Sequence, residues 1–73
     1  GDVYKRQANK FAERVKKEYP DSLTKQIDRI FLLALGRSPD ATEKEASLEV
    51  AHQHGVHTVC RVLFNSNEFL FLP

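Results

Sequence analysis

The chain has no methionine and no tryptophan, and only one cysteine, Cys60, among its 73 residues. One cysteine excludes an internal disulfide, so no covalent staple holds the fold and cysteine usage says nothing about compartment. No apolar run approaches the roughly 18 residues of a membrane-spanning helix, and no signal-peptide pattern opens the chain. No Gly-rich phosphate loop and no Cys-x-x-Cys-His haem-attachment motif occurs. At this length the chain is one domain at most, burying only about 60% of its unfolded surface. Without disulfide or metal, its stability margin is expected to be thin.

Charge of one sign is also missing. Eleven Lys/Arg face ten Asp/Glu, for a formal charge of +1. The distribution is uneven: residues 1–37 hold nine Lys/Arg and five Asp/Glu, and residues 38–73 hold two and five. Phosphate-driven affinity needs a sustained basic surface, so nucleic acid is not an expected partner.

Gly1-Asp2-Val3-Tyr4-Lys5-Arg6-Gln7 back-translates to GGA-GAT-GTG-TAT-AAG-AGA-CAG. From its second base, that string resembles the transposon end used as an adapter in DNA library preparation. Residues 1–7 are therefore read as an adapter-derived artefact and set aside from the fold argument, a natural basic arm being the alternative. Without them the remainder is neutral. The missing methionine agrees with a chain that starts inside a gene, so residues 8–73 are read as a fragment of a longer protein.

The periodicity predicts four helices and no strand, a small all-α bundle. The first is expected over Ala8 to Glu18, with Ala8, Phe11, Ala12, Val15 and Tyr19 on one face, ending before Pro20. The second starts after Asp21 or Ser22 as N-cap and runs to Leu35. Leu23, Ile27, Ile30, Phe31 and Ala34 share one sector, Leu33 and Leu35 widen it, and Leu32 falls opposite. Such an all-round apolar end needs several neighbours, so Leu32 is read as a contact with the missing parent chain. Gly36 is expected at positive φ as a helix stop. Ser38-Pro39 fills the turn, and Asp40 with Glu43 forms a capping-box pattern. The third helix, Ala41 to Gln53, is weakly amphipathic: Leu48, Ala51 and His52 lie on one side and Ala46 and Val50 on the other. It is expected to pack shallowly. Gly55 breaks the pattern. The fourth helix, Val56 to Phe64, carries a stripe of Val56, Val59, Cys60, Leu63 and Phe64. Asn65-Ser66-Asn67 stops it, and the apolar tail Glu68 to Leu72 is expected to fold back onto helices two and four or onto the parent.

Leu35-Gly36-Arg37, Pro39-Asp40-Ala41-Thr42-Glu43 and Asn65-Ser66-Asn67-Glu68-Phe69 carry a resemblance. Residues 29–73 resemble the C-terminus of the bacterial family called domain of unknown function fifteen fifty-three. Its members, common in planctomycetes and related marine bacteria, are also called PSD-one or planctomycete cytochrome-c-domain-containing proteins. The resemblance implies a helical C-terminal subdomain of a large exported protein. Its partners would be the upstream domains of the same polypeptide, often including a c-type haem domain. The haem itself does not carry over, since the attachment motif is absent, and no cofactor is expected. The Gly36 corner also resembles that of short extracellular helical repeats, but the Asn65-Ser66-Asn67 ending favours the first family.

Candidate chemistry is sparse. His52, His54 and His57 invite a metal reading, but helical ligand pairs need i, i+4 spacing on one face, and Gly55 separates His54 from His57. A polar helix end is the expectation, with His52 partly packed beside Leu48. Glu43 with Glu45, or Asp40 with Glu43, offers paired carboxylates, yet acids at a helix start are what the macrodipole favours. Cys60 lies in an apolar stripe and reads as a small core residue. Arg37 and Glu68, each central to a motif, are expected to pair or to cap each other's turns, fastening the tail to the corner. Gly36, Arg37, Pro39, Asp40, Glu43, Asn65, Asn67, Glu68 and Phe69 are thus structural candidates, with no catalytic or metal residue among them.

These readings lead to a non-catalytic structural or interaction module at the C-terminus of a larger exported protein. One alternative is a fragment of a haem- or polysaccharide-related enzyme with its active site elsewhere. A helix-turn-helix DNA binder is a further one, disfavoured because Glu43, Glu45 and Glu49 would repel phosphates from the reading helix.

Overall fold

Spacing of small and branched apolar residues sets the architecture of the computed structural model, which describes residues 2–65. It holds four helices: α1 (Asp2–Glu18), α2 (Leu23–Leu35), α3 (Ala41–His54) and α4 (Val56–Phe64). Among the described residues there is no strand, and the fold is a small all-α bundle.

Helix α1 buries Ala8, Ala12 and Val15 completely or nearly so, with Phe11 packed half-buried against the same core. It begins at Asp2 and not at Ala8, so the helix runs through the segment set aside from the sequence. Lys5, Arg6 and Gln7 are good helix formers that extend an existing helix without needing burial, whatever their origin. Tyr19 was expected on the buried face but is exposed, because α1 ends at Glu18 and Tyr19 lies past the last helical residue.

The corner from α1 to α2 is closed by a residue the periodicity did not single out. Gln26 is buried, and its Nε2 donates to the Tyr19 carbonyl at 2.8 Å. That carbonyl also accepts the Ser22 N–H at 3.3 Å. The bond satisfies a buried amide that would otherwise cost about 1–3 kcal/mol. Ser22 is the N-cap of α2, its hydroxyl accepting the Lys25 N–H at 3.2 Å. Glu18 adds a polar clasp, reaching Arg29 on α2 at 3.3 Å and Arg14 on its own helix at 3.6 Å.

Helix α2 supplies the centre of the core with Ile27, Ile30, Phe31, Ala34 and Leu35, while Leu23 and Leu33 pack partly buried at its edge. Leu32 points away and is 49% exposed. Helix α4 buries Val56, Val59, Cys60, Leu63 and Phe64, the whole expected stripe. Its main neighbour is α1, where the Phe11 and Phe64 rings meet edge to face, 5.2 Å apart at 77°, a geometry favoured by the ring quadrupole.

Helix α3 is the shallow one. Only Ala51 is buried, with Leu48 and Val50 partly covered. The helix continues one residue past Gln53, to His54. His52 is exposed.

Gly55 ends α3 and starts α4 at φ 90° and ψ 160°, a region that glycine adopts and side chains do not. Its N–H donates to the Ala51 carbonyl at 2.9 Å, and its carbonyl accepts the Thr58 N–H at 3.2 Å. A Cβ here would stand 2.9 Å from the His57 ring. The two helices are joined by one residue only because that residue is glycine.

Burial separates the leucines and isoleucines by energetic role. Ile30→Ala should cost about 2–5 kcal/mol through lost transfer energy and a residual cavity. Leu32→Ala should stay within about 0.5 kcal/mol. Urea denaturation of the two variants checks this, and similar losses for both would contradict the described core.

Candidate functional site

The densest polar construction lies between α2 and α3, where Gly36 takes φ 72° and ψ 17° and donates its N–H to the Leu32 carbonyl at 3.0 Å. That left-handed residue turns the chain so that Arg37 faces the start of α3. Pro39 precedes the cap, half-buried. Asp40 Oδ1 accepts the Glu43 N–H at 2.8 Å, and Glu43 Oε1 accepts the Asp40 N–H at 2.9 Å, so the capping box is complete.

Glu43 does more than the box requires. Arg37 Nη1 donates to Oε1 and Nη2 to Oε2, both at 2.8 Å, a bidentate clasp on the same carboxylate. Arg37 Nη1 also reaches the Ser38 carbonyl at 3.3 Å. The Arg37 hydrogen bonds first, and the Asp40 N–H second, hold the Glu43 pKa down at about 2, as hydrogen bonds to a charged form do. A second tie between the two helices is the ion pair of Lys44 with Asp28.

The expected partner of Arg37 was Glu68. Glu68 lies outside the described residues, as do Ser66, Asn67 and Phe69. Within them, the structure brings Glu43 to Arg37, a pairing the sequence reading missed. Its signal was present: an arginine just after the glycine stop and a glutamate at the third helical position both crowd the same turn. Asn65 caps α4, its N–H and its Nδ2 both donating to the Arg61 carbonyl, the latter at 3.0 Å.

As chemistry, this corner is a clasp. A carboxylate with both oxygens engaged and a pKa near 2 is fully ionised at neutral pH, far from the value that suits a general base. Asp40 is spent on the helix cap. His52 and His54 are exposed, and the His57 ring lies against Gly55. Among the described residues, no group of three His, Cys, Asp or Glu is placed to hold a metal ion. Cys60 is fully buried, and burial pushes its thiol pKa up to about 12, so it stays protonated and inert.

The remaining feature is an apolar groove of about 120 Å3 between α3 and α4. Val59 and Leu63 form its buried floor, Ala46, Ser47 and Val50 one wall, and Val62, 61% exposed, the other. Sequence periodicity put Ala46 and Val50 on the far side of α3, and this is where that far side leads.

Comparison of the chain with protein families, with curated proteins and with solved structures yields no match.

The Glu43 clasp makes stability depend on pH. Its folded pKa is below the ordinary carboxylate value of 4.5, so its contribution is fully present above pH 4.5 and is lost as pH falls towards 2. Thermal denaturation from pH 7 to 2 should show Glu43→Gln less stable at pH 7 than the parent chain, with the gap closing between pH 4.5 and 2. A gap unchanged across that window would contradict the clasp.

Proposed function

We propose that the chain is a non-catalytic helical interaction module, the C-terminal subdomain of a larger exported bacterial protein. The observation that carries the reading is the α3/α4 groove, where Val62 stands 61% exposed beside Ala46 and Val50. Leu32, at 49% exposure on α2, is a second apolar side chain without cover. A single exposed leucine is ordinary; in this reading the aliphatic residues grouped around the concavity form the seat for the partner. The polar groups that would serve chemistry are instead committed to helix caps and ion pairs, as at Asp40, Glu43 and Lys44.

The partner in this reading is the rest of the same polypeptide. Export and the presence of upstream domains rest on the resemblance of the Gly36 corner and the Asn65-Ser66-Asn67-Glu68-Phe69 ending to the family of domain of unknown function fifteen fifty-three. No helix of the described residues is long and apolar enough to cross a membrane.

A single thiol tests the reading. With Cys60 fully buried, a V62C variant places the only reactive sulfur at the groove. Maleimide labelling should be fast in the 73-residue chain and at least about tenfold slower in the longer gene product, where an interface excludes solvent. Equal rates in the two would refute the interaction reading.

A further inference from the structure

We propose that the α3/α4 groove takes an amphipathic helix whose aliphatic stripe is flanked by lysine or arginine. This rests on the interaction-module reading and names the partner for its surface. Shape favours a helix. At about 120 Å3 the groove is small against the roughly 300–1,000 Å3 of small-molecule sites. It suits a few aliphatic side chains inserted from a helix laid along it. Among the described residues there is no sheet edge to which an extended peptide could add.

Charge favours a basic one. The outer edge of the groove at Ala46 continues into a shelf formed by Thr42, Glu45 and Glu49. Glu45 and Glu49 are exposed and stand four apart on α3, where like charges destabilise an isolated helix. Among the described residues neither has an ion-pair partner. The adjacent cation, Lys44, is engaged with Asp28 on α2, and Arg37 clasps Glu43. A partner that brings cations to this edge would relieve the repulsion, whereas nucleic acid or an anionic lipid surface would meet it. Aliphatic floor and acidic rim together call for the complementary pattern, leucine-like side chains bordered by basic ones.

Two synthetic helical peptides with the same leucine stripe, one flanked by lysines and one by glutamates, test this. Each is titrated into the isotope-labelled 73-residue chain and followed by amide chemical shifts. The lysine peptide should move the signals of Ala46, Val50 and Val62. It should bind at least about tenfold tighter than the glutamate peptide at low salt, a preference that shrinks as salt rises. Reversing the shelf with Glu45→Lys and Glu49→Lys should invert the preference, and Val62→Asp, at an exposed position, should abolish both complexes without disturbing the fold. Equal binding of the two peptides, binding of neither, or shifts elsewhere would overturn the proposal. So would a peptide-free dimer that Val62→Asp dissolves, which would assign the groove to a second copy. Such a failure with position 62 still shielded in the longer gene product would leave the interaction reading standing; a reactive position 62 there removes both.

Discussion

Four helices share one core, and three of them are too short to persist in water without it. Isolated helices below about 12–15 residues are marginal even with favourable composition, and α2, α3 and α4 span only 13, 14 and 9 residues. Their stability therefore comes from mutual burial of Ile27, Ile30, Val15 and Cys60, the largest fully enclosed side chains. Helix α1 closes this core by laying Val15 against it beside Ala8 and Ala12, whose small side chains let the backbones approach. The Phe11 and Phe64 rings seal the seam between α1 and α4.

The corners turn that shared core into a defined arrangement. At the first, Gln26 reaches back to the Tyr19 carbonyl, just past the end of α1. At the second, one carboxylate closes the capping box and holds Arg37, so the direction of α3 is tied to the end of α2. Exposed ion pairs contribute little as a rule, but bidentate arginine–carboxylate geometry is the exception that adds directional specificity. At the third, Gly55 allows α4 to begin with no intervening loop. The Glu43 carboxylate thus accepts three hydrogen bonds, two from Arg37 and one from the Asp40 N–H, which removes it from any acid–base role.

Most of this was legible in the residue pattern. The buried stripes of α2 and α4, the outward Leu32, the Gly36 stop and the Asp40–Glu43 box all follow from spacing and from the chemistry of helix ends. What escaped were interactions between elements: Gln26 with the Tyr19 carbonyl, Arg37 with Glu43, and Lys44 with Asp28. A polar side chain gives no periodic signal of whether it will meet water or another helix. Helix α3 shows the same limit from the apolar side. Its residues point in too many directions for one face to dominate, so Ala46 and Val50 read as stray when they in fact wall a groove with Val62.

An acidic, shallowly seated α3 beside a well-anchored α4 gives the bundle one face that its own core does not need. A docking face there needs the bundle to be a single cooperative unit that presents it on a firm base. Native-state hydrogen exchange measures that directly. The amides of Val15, Ile30 and Val59, one on each of α1, α2 and α4, should open with a common free energy equal to that of global unfolding. If Val15 exchanges with far less protection while Ile30 and Val59 keep theirs, α1 is not part of the core and the account fails.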